Sequence, residues 1–155
     1  MICVSPCEQY DGLVFDNRPH IRIATLPGMW ERTITVGSAG KSFACTGWRV
    51  GWLIGPQSLI GPTLAAQTRI VFCTNSPLQE AAASGLEQAT KRGYWAKQIQ
   101  EYEERRAVLL KYFDEVGLKY SVPFGTYFVL VDISKVDIPK DYPFPETIKG
   151  RGRDF

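Results

Sequence analysis

The sequence is poor in the residues that build metal centres, with one histidine, His20, among 155 residues. Its four cysteines stand at positions 3, 7, 45 and 73. Cys3 and Cys7 have three residues between them, but no second Cys or His pair follows at zinc spacing. No metal site is therefore expected. Without a secretory context the thiols read as free, in a reducing compartment. An excess of charge is also lacking: 18 Lys and Arg stand against 16 Asp and Glu, a net charge of +2. That is too little to argue for nucleic acid or a membrane surface as a partner. No stretch approaches the roughly 18 apolar residues of a transmembrane helix. The opening Met1 to Pro6 is too short and too weakly apolar for a secretory signal, and no Arg-rich, acid-poor presequence is present. The expected location is cytoplasmic.

What is present is a globular composition, 45% apolar and 22% charged, in a chain long enough for one cored domain or parts of two. Leu13-Val14-Phe15 is a short apolar run closed by Asp16-Asn17, open to reading as a strand end or a helix tail. Thr33 to Gly37 is β-branched, alternating and stopped by glycine, which predicts a strand. Trp52 to Ile54, between Gly51 and Gly55, predicts a second, and both suit inner strands of a mixed α/β sheet. Gln57 to Val71 predicts a helix that Gly61-Pro62 delays or kinks. A cleaner start follows, with Ser76 placed to cap, Pro77 in the first turn and Gln79 completing a capping box. Helical periodicity runs through Ala82, Leu86 and Ala89, weakens at Gly93, and resumes from Ile99 to Val116 before Gly117 stops it. Lys119 to Val122 and Thr126 to Val131 read as two strands joined through Pro123-Phe124-Gly125. The tail from Val136 to Phe155 holds three prolines and reads as a connection with nothing to pack against.

One stretch carries chemistry: Ser38-Ala39-Gly40-Lys41-Ser42-Phe43-Ala44-Cys45-Thr46-Gly47-Trp48-Arg49-Val50-Gly51-Trp52. It begins where a strand ends, the edge at which α/β sheets bind ligands. Ser38 offers a hydroxyl, and Gly40 lets backbone approach a ligand closely. Lys41 has apolar neighbours in Phe43 and Cys45, and desolvation frees an amine to form a Schiff base. Arg49 lies beyond a Thr-Gly turn, where it can return to the same pocket and fork onto a phosphate. Each residue alone is ordinary surface chemistry, and it is the order and spacing that point to a site.

The stretch resembles the lysine signature of class I/II aminotransferases of fold type I, Ser-x-x-Lys followed by Thr-Gly-Trp-Arg-x-Gly-Trp. The runs Leu26 to Thr33, Ser76 to Gln79 and Pro123 to Val129 resemble the kynurenine–oxoglutarate aminotransferase and cysteine-conjugate β-lyase branch, with a fungal flavour. The resemblance implies a pyridoxal 5'-phosphate cofactor carried by Lys41, which also moves the proton between the amino acid's α-carbon and the cofactor. It implies phosphate contacts from Ser38 and Arg49, and a hydrogen bond from Tyr10 to the cofactor's phenolic oxygen. It implies amino acid and 2-oxo acid substrates and a homodimer. The implied activity is transamination of a kynurenine-type aromatic amino acid with an acceptor such as 2-oxoglutarate. β-Elimination from cysteine conjugates, or an inert truncated remnant, are the alternatives.

One position departs from the pattern. Cys7 stands where the family has the aspartate that keeps the pyridine nitrogen protonated, and a neutral thiol cannot do this. Either the electron sink is weakened or Met1 to Cys7 is foreign to the family, and the abrupt return of family-like text at Tyr10 favours the second. The family's amino-terminal phosphate cradle and the arginine gripping the substrate carboxylate have no counterpart here, and Arg151 and Arg153 do not match that arginine's motif. The expected architecture is thus α/β: a partial three-layer α/β/α large domain over 1–75, interdomain helices over 76–117, and the start of a small α+β domain over 118–155. The native amino terminus is expected to be missing, which leaves a mitochondrial location open.

Overall fold

A computed structural model describes residues 3–5, 10–137 and 142–143. Three strands form one sheet: β1 (Cys3–Ser5), β2 (Thr33–Ser38) and β3 (Gly51–Ile54), in the order β1-β2-β3. β1 runs parallel to β2, with Cys3 opposite Thr33, and β3 runs antiparallel to it, with Ser38 opposite Gly51. β2 is therefore the inner strand, whereas β3, also expected inside, lies at the edge of the described sheet. In β2, Thr33, Thr35 and Gly37 turn inward while the residues between them stay half-buried, the alternation of a strand with one covered face. Gly37 is required where it stands. A Cβ there would lie 2.1 Å from the Trp52 indole nitrogen, because the Trp52 ring crosses its cross-strand partner.

β2 leads directly into a single helical turn, α1 (Ala39–Ser42). After β3 comes α2 (Gln57–Ile70), which accommodates Pro62 within its first two turns. α3 (Ser76–Ala89) and α4 (Tyr94–Glu115) follow. Gly93, with φ +64°, separates the two and precedes the first residue of α4. The cap of α3 is not Ser76. Asn75 sits outside the helix and its side-chain oxygen accepts the Leu78 amide at 3.2 Å, which leaves Ser76 as the first helical residue. Gln79 does reach back, donating to the Thr74 carbonyl at 2.8 Å.

Beyond Gly117 the expected hairpin is shorter than its apolar pattern. Only β4 (Lys119–Tyr120) and β5 (Val131–Asp132) pair, extended by the Ser121 amide on the Leu130 carbonyl at 2.9 Å. Residues 126–129 leave the ladder because Thr126 adopts φ +63° and the chain turns instead toward residues 13–15. There Phe15 donates to the Phe124 carbonyl at 2.9 Å and Thr126 to the Leu13 carbonyl at 3.0 Å. The apolar run at 13–15 is thus a bridge segment, with Leu13 and Phe15 buried. A second core, Ala39, Val50 and Ala82 with Phe43, Trp52 and Leu78 against it, fastens α3 onto the β2–β3 connection. Cys7, and the tail beyond Asp137 apart from Tyr142 and Pro143, lie outside the described residues.

Candidate active site around Lys41

The β2–α1 junction fixes where Lys41 starts. The Ala39 amide donates to the Val50 carbonyl at 3.1 Å, and Phe43 closes the turn on the Ala39 carbonyl at 2.9 Å. The connection to β3 is a tight loop in which Ala44 and Arg49 both adopt left-handed backbone conformations, at φ 54° and 56°. Such angles cost a non-glycine residue free energy, and they persist where the surroundings over-determine them. Gly40 was expected to admit a ligand. Here a Cβ would instead lie 2.9 Å from the Thr46 Cα, so the close approach is between two parts of the chain.

From α1 the Lys41 side chain reaches a small cleft whose walls include Tyr10, Trp95, Gln98, Tyr102 and Tyr127. One side of this cleft is braced by α4. Tyr94 donates to the Ser42 carbonyl at 3.0 Å and Gln98 to the same carbonyl at 3.2 Å. Phe43 packs on Tyr94 and Trp95 with ring centres 5.4 and 5.5 Å apart. These contacts hold the turn carrying Lys41 against a rigid helix.

Across the cleft the Lys41 amine approaches the Tyr127 hydroxyl at 3.4 Å, while Tyr10 donates its hydroxyl to the same oxygen at 2.9 Å. The Tyr10 and Tyr127 rings meet edge to face, centres 5.3 Å apart. The two phenols are driven apart in acidity. Burial, helped by the proton held toward Tyr127, pushes Tyr10 up to about 12. Tyr127 moves below its ordinary value because it accepts the Tyr10 hydrogen bond and, secondarily, that of Lys41.

Of the four residues singled out in the sequence, Lys41 and Tyr10 thus share one cleft. Ser38 and Arg49 stand elsewhere, at the mouth of the β2–β3 connection. Ser38 precedes α1 opposite Gly51, and Arg49 is exposed, one guanidinium nitrogen donating to the Thr46 carbonyl at 3.2 Å. The set comprises an amine with one long hydrogen bond among the described residues, a half-buried phenol, a hydroxyl and an exposed guanidinium. That chemistry fits a ligand bearing an aldehyde and a phosphate. Sequence reasoning did not single out Tyr127. Its run, Pro123 to Val129, was read for strand pattern and resemblance. Only the bend at Thr126, invisible in that pattern, turns the phenol toward Lys41.

The chain matches the family described as Aminotransferase class I and II over residues 8–143. It is 51% identical over 150 residues to a Saccharomyces cerevisiae protein named "Probable kynurenine--oxoglutarate transaminase BNA3", covering 96% of this chain and 34% of that one. It is 43% identical to the kynurenine–oxoglutarate transaminase of Dictyostelium discoideum, covering 94% of this chain and 33% of the relative. The crystal structure of Bna3p from S. cerevisiae superimposes with a TM-score of 0.86 over 95% of this chain and 35% of that one. The chain therefore spans about a third of the length of the curated relatives it matches. Its architecture is a partial α/β domain of the fold type I aminotransferases.

Proposed function

The chain belongs to the class I and II aminotransferases, and from that premise we propose that it serves transfer of an amino group from a kynurenine-type aromatic amino acid to a 2-oxo acid such as 2-oxoglutarate. The family is in general dependent on pyridoxal 5'-phosphate, whose aldehyde condenses with amines and whose ring takes up electrons from the amino acid's α-carbon. The single observation that carries the reading is the Lys41 amine at the end of β2, in the same cleft as the Tyr10 phenol.

Lys41 would hold the cofactor's aldehyde carbon and afterwards carry a proton at Nζ to and from the α-carbon of the substrate. Tyr10 would direct its hydroxyl at the cofactor's phenolic oxygen. With its own proton held strongly, it acts as a donor and not as a base. Ser38 and Arg49 would hold the phosphate, which requires the Arg49 guanidinium to turn from the Thr46 carbonyl. The trio of aromatic rings at Phe43, Tyr94 and Trp95 packs against one side of the Lys41 turn. We further propose a cytoplasmic homodimer that uses neither nucleic acid nor membrane as a partner.

The test is a chimera in which this segment replaces its counterpart in the yeast relative. Borohydride treatment with pyridoxal 5'-phosphate is expected to fix the label on Lys41. Lys41→Arg should lose both label and turnover of kynurenine, because a guanidinium stays protonated. A label on Lys91, Lys97 or Lys111 with Lys41 clean would sink the assignment.

A further inference from the structure

The cleft contains a group that the proposed chemistry leaves without a role, the hydroxyl of Tyr127. Its position is not accidental to a loose loop. Residues 123–126 are pinned to residues 13–15 by two backbone hydrogen bonds, which together make an antiparallel bridge between Val14 and Gly125. Arg106 of α4 adds a third tie, donating to the Pro123 carbonyl at 2.8 Å while both its terminal nitrogens hold Asp16, at 2.9 and 2.6 Å. Thr126 then takes φ +63°, an unfavourable angle for a β-branched residue. The result is that the next side chain, Tyr127, is aimed at Lys41. Phe128 stacks on it with ring centres 4.4 Å apart, limiting its swing.

We infer that Tyr127 is a positioning residue for Lys41. Its oxygen accepts the Tyr10 hydroxyl on one side and the Lys41 amine on the other, linking the two groups into one hydrogen-bonded row and holding the amine at the mouth of the cleft. This rests on the reading of Lys41 as the reactive amine. The geometry divides the labour. Before cofactor binds, Tyr10 donates its only hydroxyl proton to Tyr127, so the Tyr127 oxygen is the acceptor that the amine meets. The Lys41 contact, at 3.4 Å, is long for a hydrogen bond. It steers the amine without locking it, as a group that must leave for an aldehyde carbon requires. The acidities of the two phenols are split in the sense that this row demands.

The experiment reads the row without cofactor. Tyrosines carrying 13C at the ring carbon bearing the hydroxyl are titrated by NMR, in the chain itself and in the chimera. In the parent, Tyr127 is expected to titrate below the ordinary tyrosine value and Tyr10 well above it. Tyr127→Phe keeps the ring, and Tyr10 is expected to fall from about 12 toward 10.0, stopping short because burial remains. Lys41→Met is expected to raise Tyr127 toward its ordinary value. In the chimera, Tyr127→Phe should slow the uptake of pyridoxal 5'-phosphate at Lys41 by roughly two- to tenfold, the ratio of one ordinary hydrogen bond, with the label still on Lys41. If Tyr10 and Tyr127 ignore both substitutions in chain and chimera alike, the inference is overturned. Failure of Lys41 to take any label leaves the phenol titrations intact and overturns the proposed function instead, so the two failures are distinguishable.

Discussion

Two regions of this chain obey opposite rules. Around Lys41 the molecule closes on itself: Ala39 is fully buried, Val50 and Ala82 nearly so, and α3 and α4 both reach back to the turn that carries the lysine. Along α2 and the approach to β5 the same chain leaves its large apolar side chains outside, with Ile70 82%, Phe72 77% and Leu130 76% exposed. An exposed apolar face of this extent is the mark of a surface that packs against something else. The difference teaches where the information for the site resides. The geometry of Lys41 is set by contacts within the segment, whereas the outer faces are set by what covers them. That division suits a segment spanning about a third of its relatives' length.

The strongest way to break the comparison is to remove one aromatic ring from each region. Phe15 is 1% exposed, lies under the Arg106 guanidinium at 4.7 Å, and anchors the bridge to residues 123–126. Phe15→Ala is expected to cost about 3 to 5 kcal/mol, a large part of the total stability of a small domain. Phe72→Ala should stay within about 0.5 kcal/mol, as substitutions at open surface do. Urea melts of both variants at the same protein concentration decide it. Equal losses would mean that Phe72 is covered, and that the outer face is not open at all.

The same contrast explains how much was legible in advance. The strand at Thr33, its end before Lys41 and the helices after Gln57 and Pro77 follow from local patterns: alternation, glycine stops and 3.6-residue spacing. Their signals lie within short runs of sequence, so local pattern suffices to find them. Tyr127 was not legible, because its place depends on a backbone angle at Thr126 stabilised by partners more than 100 positions away, at Leu13 and Val14. The expected strand from Thr126 to Val131 survives only at its Leu130–Val131 end for the same reason. Its β-branched and aromatic composition is real, but tertiary bonding to residues 13–15 overrides strand propensity. The reading of Gly40 was wrong about its neighbour, since sequence shows that space is needed and not what fills it.

A finer cut tests the start of α3, which presents Leu78 and Ala82 to the Lys41 corner. Asn75 caps it and Ser76 does not. Asn75→Ala is therefore expected to destabilise the chain by about 1 kcal/mol, the usual loss for a helix cap. Ser76→Ala should be close to neutral. Thermal denaturation of the pair checks this, and a larger loss at Ser76 would restore the capping box read from the sequence.

The smallest effect concerns the clasp between the two regions, where Arg106 holds Asp16 at 2.6 Å and the Asp16 amide donates to Glu103 at 2.8 Å. The Arg106 hydrogen bond, followed by its charge and that of Arg18, holds the Asp16 carboxyl below its ordinary value of 3.8. A carboxyl more acidic in the folded chain than in the unfolded one stabilises the fold at pH values above the unfolded range. It loses that contribution as the pH falls through the folded value. The clasp should therefore be intact at neutral pH and fail only in acid, from about pH 4 downward. Arg106 stays charged throughout, so only the carboxylates change. Both groups of the pair face solvent in part, and added salt should weaken the effect. Thermal melts between pH 7 and pH 3 are expected to show a steeper acid decline for the parent than for Asp16→Asn, with the two curves converging at the acid end. Parallel curves would mean that the pair carries no pH-dependent stability, and that the backbone bonds from Phe15 to Phe124 and from Thr126 to Leu13 hold the regions together by themselves.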